Sequence, residues 1–207
     1  MEQQVDKSHY AFAKYGFEGR FVSYYHQLKE VLDRNPASVL EVGVGDKVFG
    51  SFLKNNTDVA YTSMDVAADL HPDVVGDILN LPFGNTSFDI VCAFEVLEHI
   101  PFDQFERAIA EMSRVATRYV IISVPHFGPM LSVALKIPFL PLIRAALKLP
   151  FPKRHVFNGQ HHWEIGKRGY PLSLVRSKLE KNGTVVAEYV PFNSEYHHFF
   201  VLELPPR

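Results

Sequence analysis

Short apolar runs, each ending in glycine, an acid or histidine, alternate with helical periodicity along the first 126 residues. Few folds accept that alternation. Residues 38–42 (SVLEV), 59–64 (VAYTSM), 74–75 (VV), 88–94 (FDIVCAF) and 119–124 (YVIISV) read as strands. Between them, residues 47–55 read as a short helix. Residues 102–115 read as a longer one, with Phe105, Ile109 and Met112 on one face. Strands separated by helices pair in parallel through crossovers, so the expectation is an α/β fold with helices on both faces of the sheet. Residues 171–182 read as a further helix. Residues 184–190 and 197–204 read as two strands joined closely enough to be antiparallel. At the front, residues 8–33 read as one or two helices, with Tyr24, Leu28, Val31 and Leu32 in register and a break near Gly16 and Gly19. Asn35-Pro36 closes this segment, an N-terminal helical cap over 1–35.

Composition narrows the class. The chain has 207 residues, 47% hydrophobic and 21% charged, which suits one globular domain spanning 1–207. Lys plus Arg number 21 against 23 Asp plus Glu, a net charge of −2. That lacks the basic footprint of a general nucleic-acid binder, so no nucleic-acid partner is expected. The single cysteine, Cys92, permits neither an internal disulfide nor a cysteine-built zinc site. The opening MEQQVDKSHY is polar, and no uninterrupted apolar run reaches the length of a membrane span. The expected location is cytoplasmic.

Ligands of such sheets sit at the carboxyl ends of the strands. There lie Gly43 and Gly45, then Asp65, Asp77, Glu95 and His126. The first turn, Glu41-Val-Gly43-Val-Gly45-Asp46, lets backbone approach a ligand closely. It is a poor dinucleotide turn. The third small position of G-x-G-x-x-G holds Val48, and Glu41 would repel a pyrophosphate. A carboxylate there favours a cationic ligand without phosphate, and S-adenosylmethionine meets that description. Asp65 is placed to accept from ribose hydroxyls, and Asp77 from an adenine amine. The Ile78 amide can donate to the ring, with Val66 and Ile78 as apolar faces around it. The plainer account of each acid alone is a loop-end cap or a solvated charge.

VLEVGVGD, SMDVA, GDILNLPF, FDIVCAFEVLEHI and ISVPH, in that order, resemble the successive motifs of class I S-adenosylmethionine-dependent methyltransferases, type 11-like, over residues 38–126. The resemblance implies a Rossmann-like, seven-stranded, mostly parallel sheet in the order 3-2-1-4-5-7-6 with the last strand antiparallel. It also implies S-adenosylmethionine as cofactor. Glu41, Gly43 and Gly45 would line the methionine and ribose end, Asp65 the ribose, and Asp77 and Ile78 the adenine. Phe94 and Glu95 would lie near the methionine. The departure is Lys47, where many members carry a third glycine.

An oxygen or nitrogen acceptor can require a base, and the candidates are His99 and His126, with Glu98 nearby. A histidine bonding a neighbour at a helix start is the plainer account of His99. Glu95-Val-Leu-Glu98-His99 is also similar to a segment of quinone-type O-methyltransferases, in which such acids and a histidine bind magnesium-like ions. The same letters occur in members without metal, and no metal is expected here. His161, His162, Trp163 and Glu164 are candidate substrate contacts in an insert or lid over 127–168, against the plainer account of a polar hinge with a packing tryptophan. Residues 128–152 are apolar, carry Lys136, Arg144 and Lys148, and are broken by Pro138, Pro141, Pro150 and Pro152. Two short helical pieces forming a greasy lid are expected, with peripheral membrane contact or packing on a second subunit as alternatives. The expected function is methyl transfer to a small, apolar or aromatic acceptor. The alternatives are a membrane-associated enzyme acting on a lipid-linked substrate, and a silent adenosyl-ligand-binding protein. A nicotinamide-dependent dehydrogenase is disfavoured by Val48 and Glu41.

Overall fold

The computed structural model describes residues 7–206. The N-terminal cap is a 3-10 turn at Lys7–Tyr10, a single helical turn α1 (Phe12–Tyr15) and helix α2 (Glu18–Leu32). The expected break falls at Gly16-Phe17; residues 1–6 of the cap lie outside the described residues. Then follow β1 (Ser38–Val42), α3 (Val48–Asn56), β2 (Ala60–Asp65), β3 (Val74–Val75), β4 (Phe88–Phe94), α4 (Phe105–Val115) and β5 (Ala116–Pro125). After β5 come β6 (Met130–Leu135), β7 (Ile143–Lys148), α5 (Leu172–Leu179), β8 (Thr184–Tyr189) and β9 (His197–Glu203).

Seven strands form one sheet in the order β3-β2-β1-β4-β5-β9-β8. The pairs from β3 to β5 are parallel, and β9 runs antiparallel to both β5 and β8. This is the expected order 3-2-1-4-5-7-6, with β8 and β9 as its sixth and seventh strands. Side-chain alternation along β1 divides the core. Leu40 and Val42 join Ile109 and Met112 of α4 and Val175 and Leu179 of α5 on one face. Val39 joins Val31 of α2 and Phe49 and Leu53 of α3 on the other. Glu41 shares the Val39 face, so a carboxyl group is folded into the apolar α2–α3 layer. Strand β5 begins three residues earlier than read from sequence, because Ala116 already pairs with Phe88.

One local expectation is overturned. The apolar insert is a β-hairpin, β6 with β7, separate from the main sheet, and not a pair of short helices. Leu131, Val133 and Leu135 repeat every second residue, a strand period, while Pro138 and Pro141 fall in the connecting turn.

Candidate active site

The turn after β1 is held in place by the end of β2. Val44 N–H donates to Asp65 Oδ2 at 2.8 Å and Ala67 N–H donates to Asp65 Oδ1 at 2.8 Å. Gly43 N–H donates to the Met64 carbonyl at 2.8 Å. Asp65 is therefore first a clamp joining two strand ends, with further lone pairs on both oxygens. Gly43 has φ +86°, and an added Cβ would lie 2.3 Å from Val96 Cγ2. Lys47, the departure from the glycine pattern, takes φ 66° and still opens α3. The turn thus keeps its left-handed backbone with a lysine, whose Nζ donates to the His71 carbonyl at 3.1 Å. Lys47→Gly is expected to raise stability by about 1 kcal/mol by relieving the left-handed penalty, read as a higher urea midpoint.

Beneath this turn lies a cavity of about 30 Å³, lined in part by Tyr15, Arg20, Tyr24, Gln27, Glu41 and Asp46. Glu41 is buried, accepts a hydrogen bond from the Tyr61 hydroxyl, and is pushed up to about 8 by burial. Tyr24 donates its hydroxyl to Asp46. Phe94, 5.3 Å from Phe49 between ring centroids, forms part of the wall. The Arg20 guanidinium lies 4.1 Å from the Tyr15 ring centroid, and its Nε is buried without a hydrogen-bond partner. Tyr10 packs on Val44, Ala67 and Leu70, over the glycine turn. Sequence reasoning missed Arg20 and Gln27. The available signal was the density of aromatic residues beside one arginine in residues 10–25.

At the end of β4, Glu95 takes the left-handed φ of 56°, which costs a non-glycine residue about 1–3 kcal/mol and marks functional sites. Its Oε1 accepts from the Ser123 hydroxyl at 2.8 Å, and its Oε2 lies 3.7 Å from His197 Nε2. Burial and the neighbouring Glu98 raise its carboxyl well above the usual range. Glu98 is 1% exposed, its Oε2 has no hydrogen-bond partner, and burial pushes it up to about 8. His99 Nδ1 lies 3.1 Å from the Gln160 carbonyl, which fixes Nδ1 as the donor and leaves Nε2 with a lone pair. Burial lowers His99 to about 4, so the ring is neutral at pH 7. Glu98, His99 and His161 each offer a ligand atom, all within 4.8 Å of one another, so these three could hold a divalent ion. Glu95, the third member suggested by sequence, turns to Ser123 and His197 instead.

The other predicted residues divide. His126 is buried at the end of β5, its Nδ1 2.8 Å from His198 Nδ1, and burial lowers it to about 3. It also lines a larger cavity of about 540 Å³ with Phe127, Pro129, Lys148, Phe151 and Tyr196. His161 Nδ1 is 3.3 Å from Glu164 Oε1 and 3.3 Å from the Tyr196 hydroxyl. The His162 ring packs on Phe157, and the His162 backbone N–H donates to the Glu98 carbonyl at 2.8 Å. Trp163 is corrected from substrate contact to core: it is 0% exposed, packs on Phe102 and Phe105, and donates Nε1–H to the Leu97 carbonyl at 3.1 Å. Asp77 Oδ1 accepts from the Leu79 N–H at 2.9 Å. The Ile78 side chain joins the α4-side core rather than flanking a ring, so only its backbone could meet a ligand; Val66 is half-buried.

Residues 40–122 match a family described as a methyltransferase domain. Over those residues the chain is similar to the class I S-adenosylmethionine-dependent methyltransferases. The matched stretch supplies the glycine turn, Asp65, Asp77, Glu95, Glu98 and His99. Solved structures share its fold at low identity. A Pyrococcus horikoshii protein has TM-score 0.63 at 14% identity, with 95% of this chain and 96% of that one covered. Magnesium protoporphyrin IX methyltransferase from Synechocystis with bound SAM has TM-score 0.60 at 15% identity, covering 90% and 80%. The 1,6-didemethyltoxoflavin-N1-methyltransferase of Burkholderia thailandensis has TM-score 0.59 at 15% identity, covering 88% and 76%. No curated protein sequence matches the chain.

Proposed function

We propose that this protein is a methyltransferase that moves the methyl group of S-adenosylmethionine to an oxygen or nitrogen of a small apolar or aromatic acceptor. The observation that carries the reading is the collection, at one sheet edge, of a left-handed glycine turn clamped by Asp65 with buried acids and no phosphate-binding pattern. The buried, unpartnered Arg20 Nε fits the cofactor's carboxylate, and Glu41 and Asp46 fit its cationic groups. Gly43 and Gly45 bring backbone against the ribose, Asp65 accepts from its hydroxyls, and Asp77 with the Ile78 amide meets the adenine. The bound sulfonium supplies an electrophilic methyl for in-line displacement. The chain's contribution is then positioning. The neutral rings of His99 and His126 can accept a hydrogen bond from the acceptor's O–H or N–H and orient it, and the cavity at His126 seats its apolar body. Small-molecule sites typically occupy about 300–1,000 Å³, so Tyr10 and Tyr15 move off the glycine turn when the cofactor binds.

Calorimetric titration with S-adenosylmethionine, S-adenosylhomocysteine and NAD tests the reading. The two sulfur ligands are expected to bind and NAD not to. Asp65→Asn keeps one oxygen for the clamp but weakens charge-assisted bonds to the ribose, and a loss of about tenfold or more is expected. Unchanged affinity removes Asp65 from the ribose. NAD binding in place of the sulfur ligands overturns the whole reading.

A further inference from the structure

We infer that the β6–β7 hairpin docks the protein on an anionic lipid surface. Directly opposed residues of an antiparallel pair share a face. Leu131 faces Leu147, Val133 faces Ala145, and Leu135 faces Ile143, so one face is apolar throughout. The other carries Met130 with Lys148, Ser132 with Ala146, and Ala134 with Arg144. The apolar face is not used inside the molecule: Leu131, Val133, Leu135, Ile143 and Leu147 are each more than half exposed. At the turn Phe139 is 104% exposed, beside exposed Ile137, Leu140 and Leu142. A lone two-stranded ribbon is marginal in water, and a continuous exposed apolar face marks a surface that is covered in use.

Charge selects the cover. Residues 128–163 contain Lys136, Arg144, Lys148, Lys153 and Arg154 and no Asp or Glu, in a chain of net charge −2. Self-pairing through a two-fold axis would bring together two segments of like positive charge, with no acid within residues 128–163 to offset it. A negatively charged lipid surface meets both halves of the pattern, with apolar side chains entering the acyl boundary and cations at the head groups. Phe127, Pro129, Lys148 and Phe151, at the base of the hairpin, line the cavity beside His126, so docking sets that cavity next to the lipid.

The test is flotation of the full chain with phosphatidylcholine vesicles and with vesicles holding about 30% phosphatidylglycerol, whose surface potential attracts cations. Binding to the anionic vesicles is expected to exceed neutral binding by about tenfold and to fall as salt screens it. The double variant Phe139→Asp, Leu140→Asp is expected to remove it. S-adenosylhomocysteine affinity and melting temperature, measured on the same variant, report its fold and cofactor site. The hairpin lies outside residues 40–122, so vesicle binding and cofactor binding fail or survive separately. Equal binding to both vesicles, no binding to either, or full binding by the variant overturns the inference. A stable dimer abolished by the same two substitutions overturns it in favour of a second copy.

Discussion

Gly43→Ala is expected to abolish binding of S-adenosylhomocysteine and to destabilise the fold by about 2–4 kcal/mol. Two separate penalties combine. The backbone there has φ +86°, a region that L side chains rarely adopt. The new Cβ would also lie 2.3 Å from Val96 Cγ2. Val96 is buried between Glu95 and the 3-10 turn that carries Glu98 and His99, so it cannot retreat without moving both. The shift would propagate to the acids at the end of β4. Calorimetry measures the lost binding and urea denaturation the lost stability. Gly43→Ala with Val96→Ala separates the penalties, because the second change removes the overlap and leaves the backbone cost. Partial recovery of stability is expected, and full recovery would show that φ at this position costs nothing.

The second large effect is a stability optimum set by opposed buried groups. Glu41 and Glu98 are pushed up to about 8 by burial, so the folded chain holds their protons where the unfolded chain has released them. Stability is therefore lost as pH rises from the ordinary carboxylate range through about 8. Burial lowers His126, His197 and His198 to about 3 and His99 to about 4. The unfolded chain takes up those protons first, so stability is lost as pH falls below the ordinary histidine range. The two slopes cross near neutrality. The ligand-free protein is expected to melt highest at about pH 6–6.5, with Glu41 alone removing about 2 kcal/mol between about pH 6.5 and 8.5. Glu41→Gln should flatten the alkaline limb in thermal melts across pH and should weaken S-adenosylhomocysteine, whose ammonium can no longer displace the Glu41 proton and pair with the carboxylate. An alkaline limb identical in the variant would mean that Glu41 is ionised in the folded protein.

Much of the site was legible because it belongs to turns directly after strands. The apolar runs at 38–42 and 88–94 contain their own strand signal, and the residue that follows each is then forced to the sheet edge. Gly43, Asp65, Glu95 and His126 were placed by that logic. Arg20 was not, since its position depends on how α2 packs across the sheet rather than on anything within α2. Lys47 shows a related gap: a letter that breaks the glycine pattern nonetheless adopts the glycine's backbone. His161 meets Glu98 and His99 across some sixty residues, and no spacing rule reaches that far.

Trp163 and the insert show what misleads a reading by composition. A tryptophan beside two histidines and an acid looks like a binding face, but its ring fills the core under α4 and its indole N–H is spent on the Leu97 carbonyl. The insert's prolines argued against one long helix, and the expectation of two short ones overlooked its two-residue period. Local periodicity and turn chemistry were enough to determine a parallel sheet with crossovers, its strand ends, and the acids and glycines at the carboxyl edge. These follow from covalent geometry and nearest neighbours, which the sequence contains. Packing alone decided which histidines meet, which carboxyl groups keep their protons and which aromatic residues are core. Those depend on distances between residues far apart in the chain, and only the closed fold sets them.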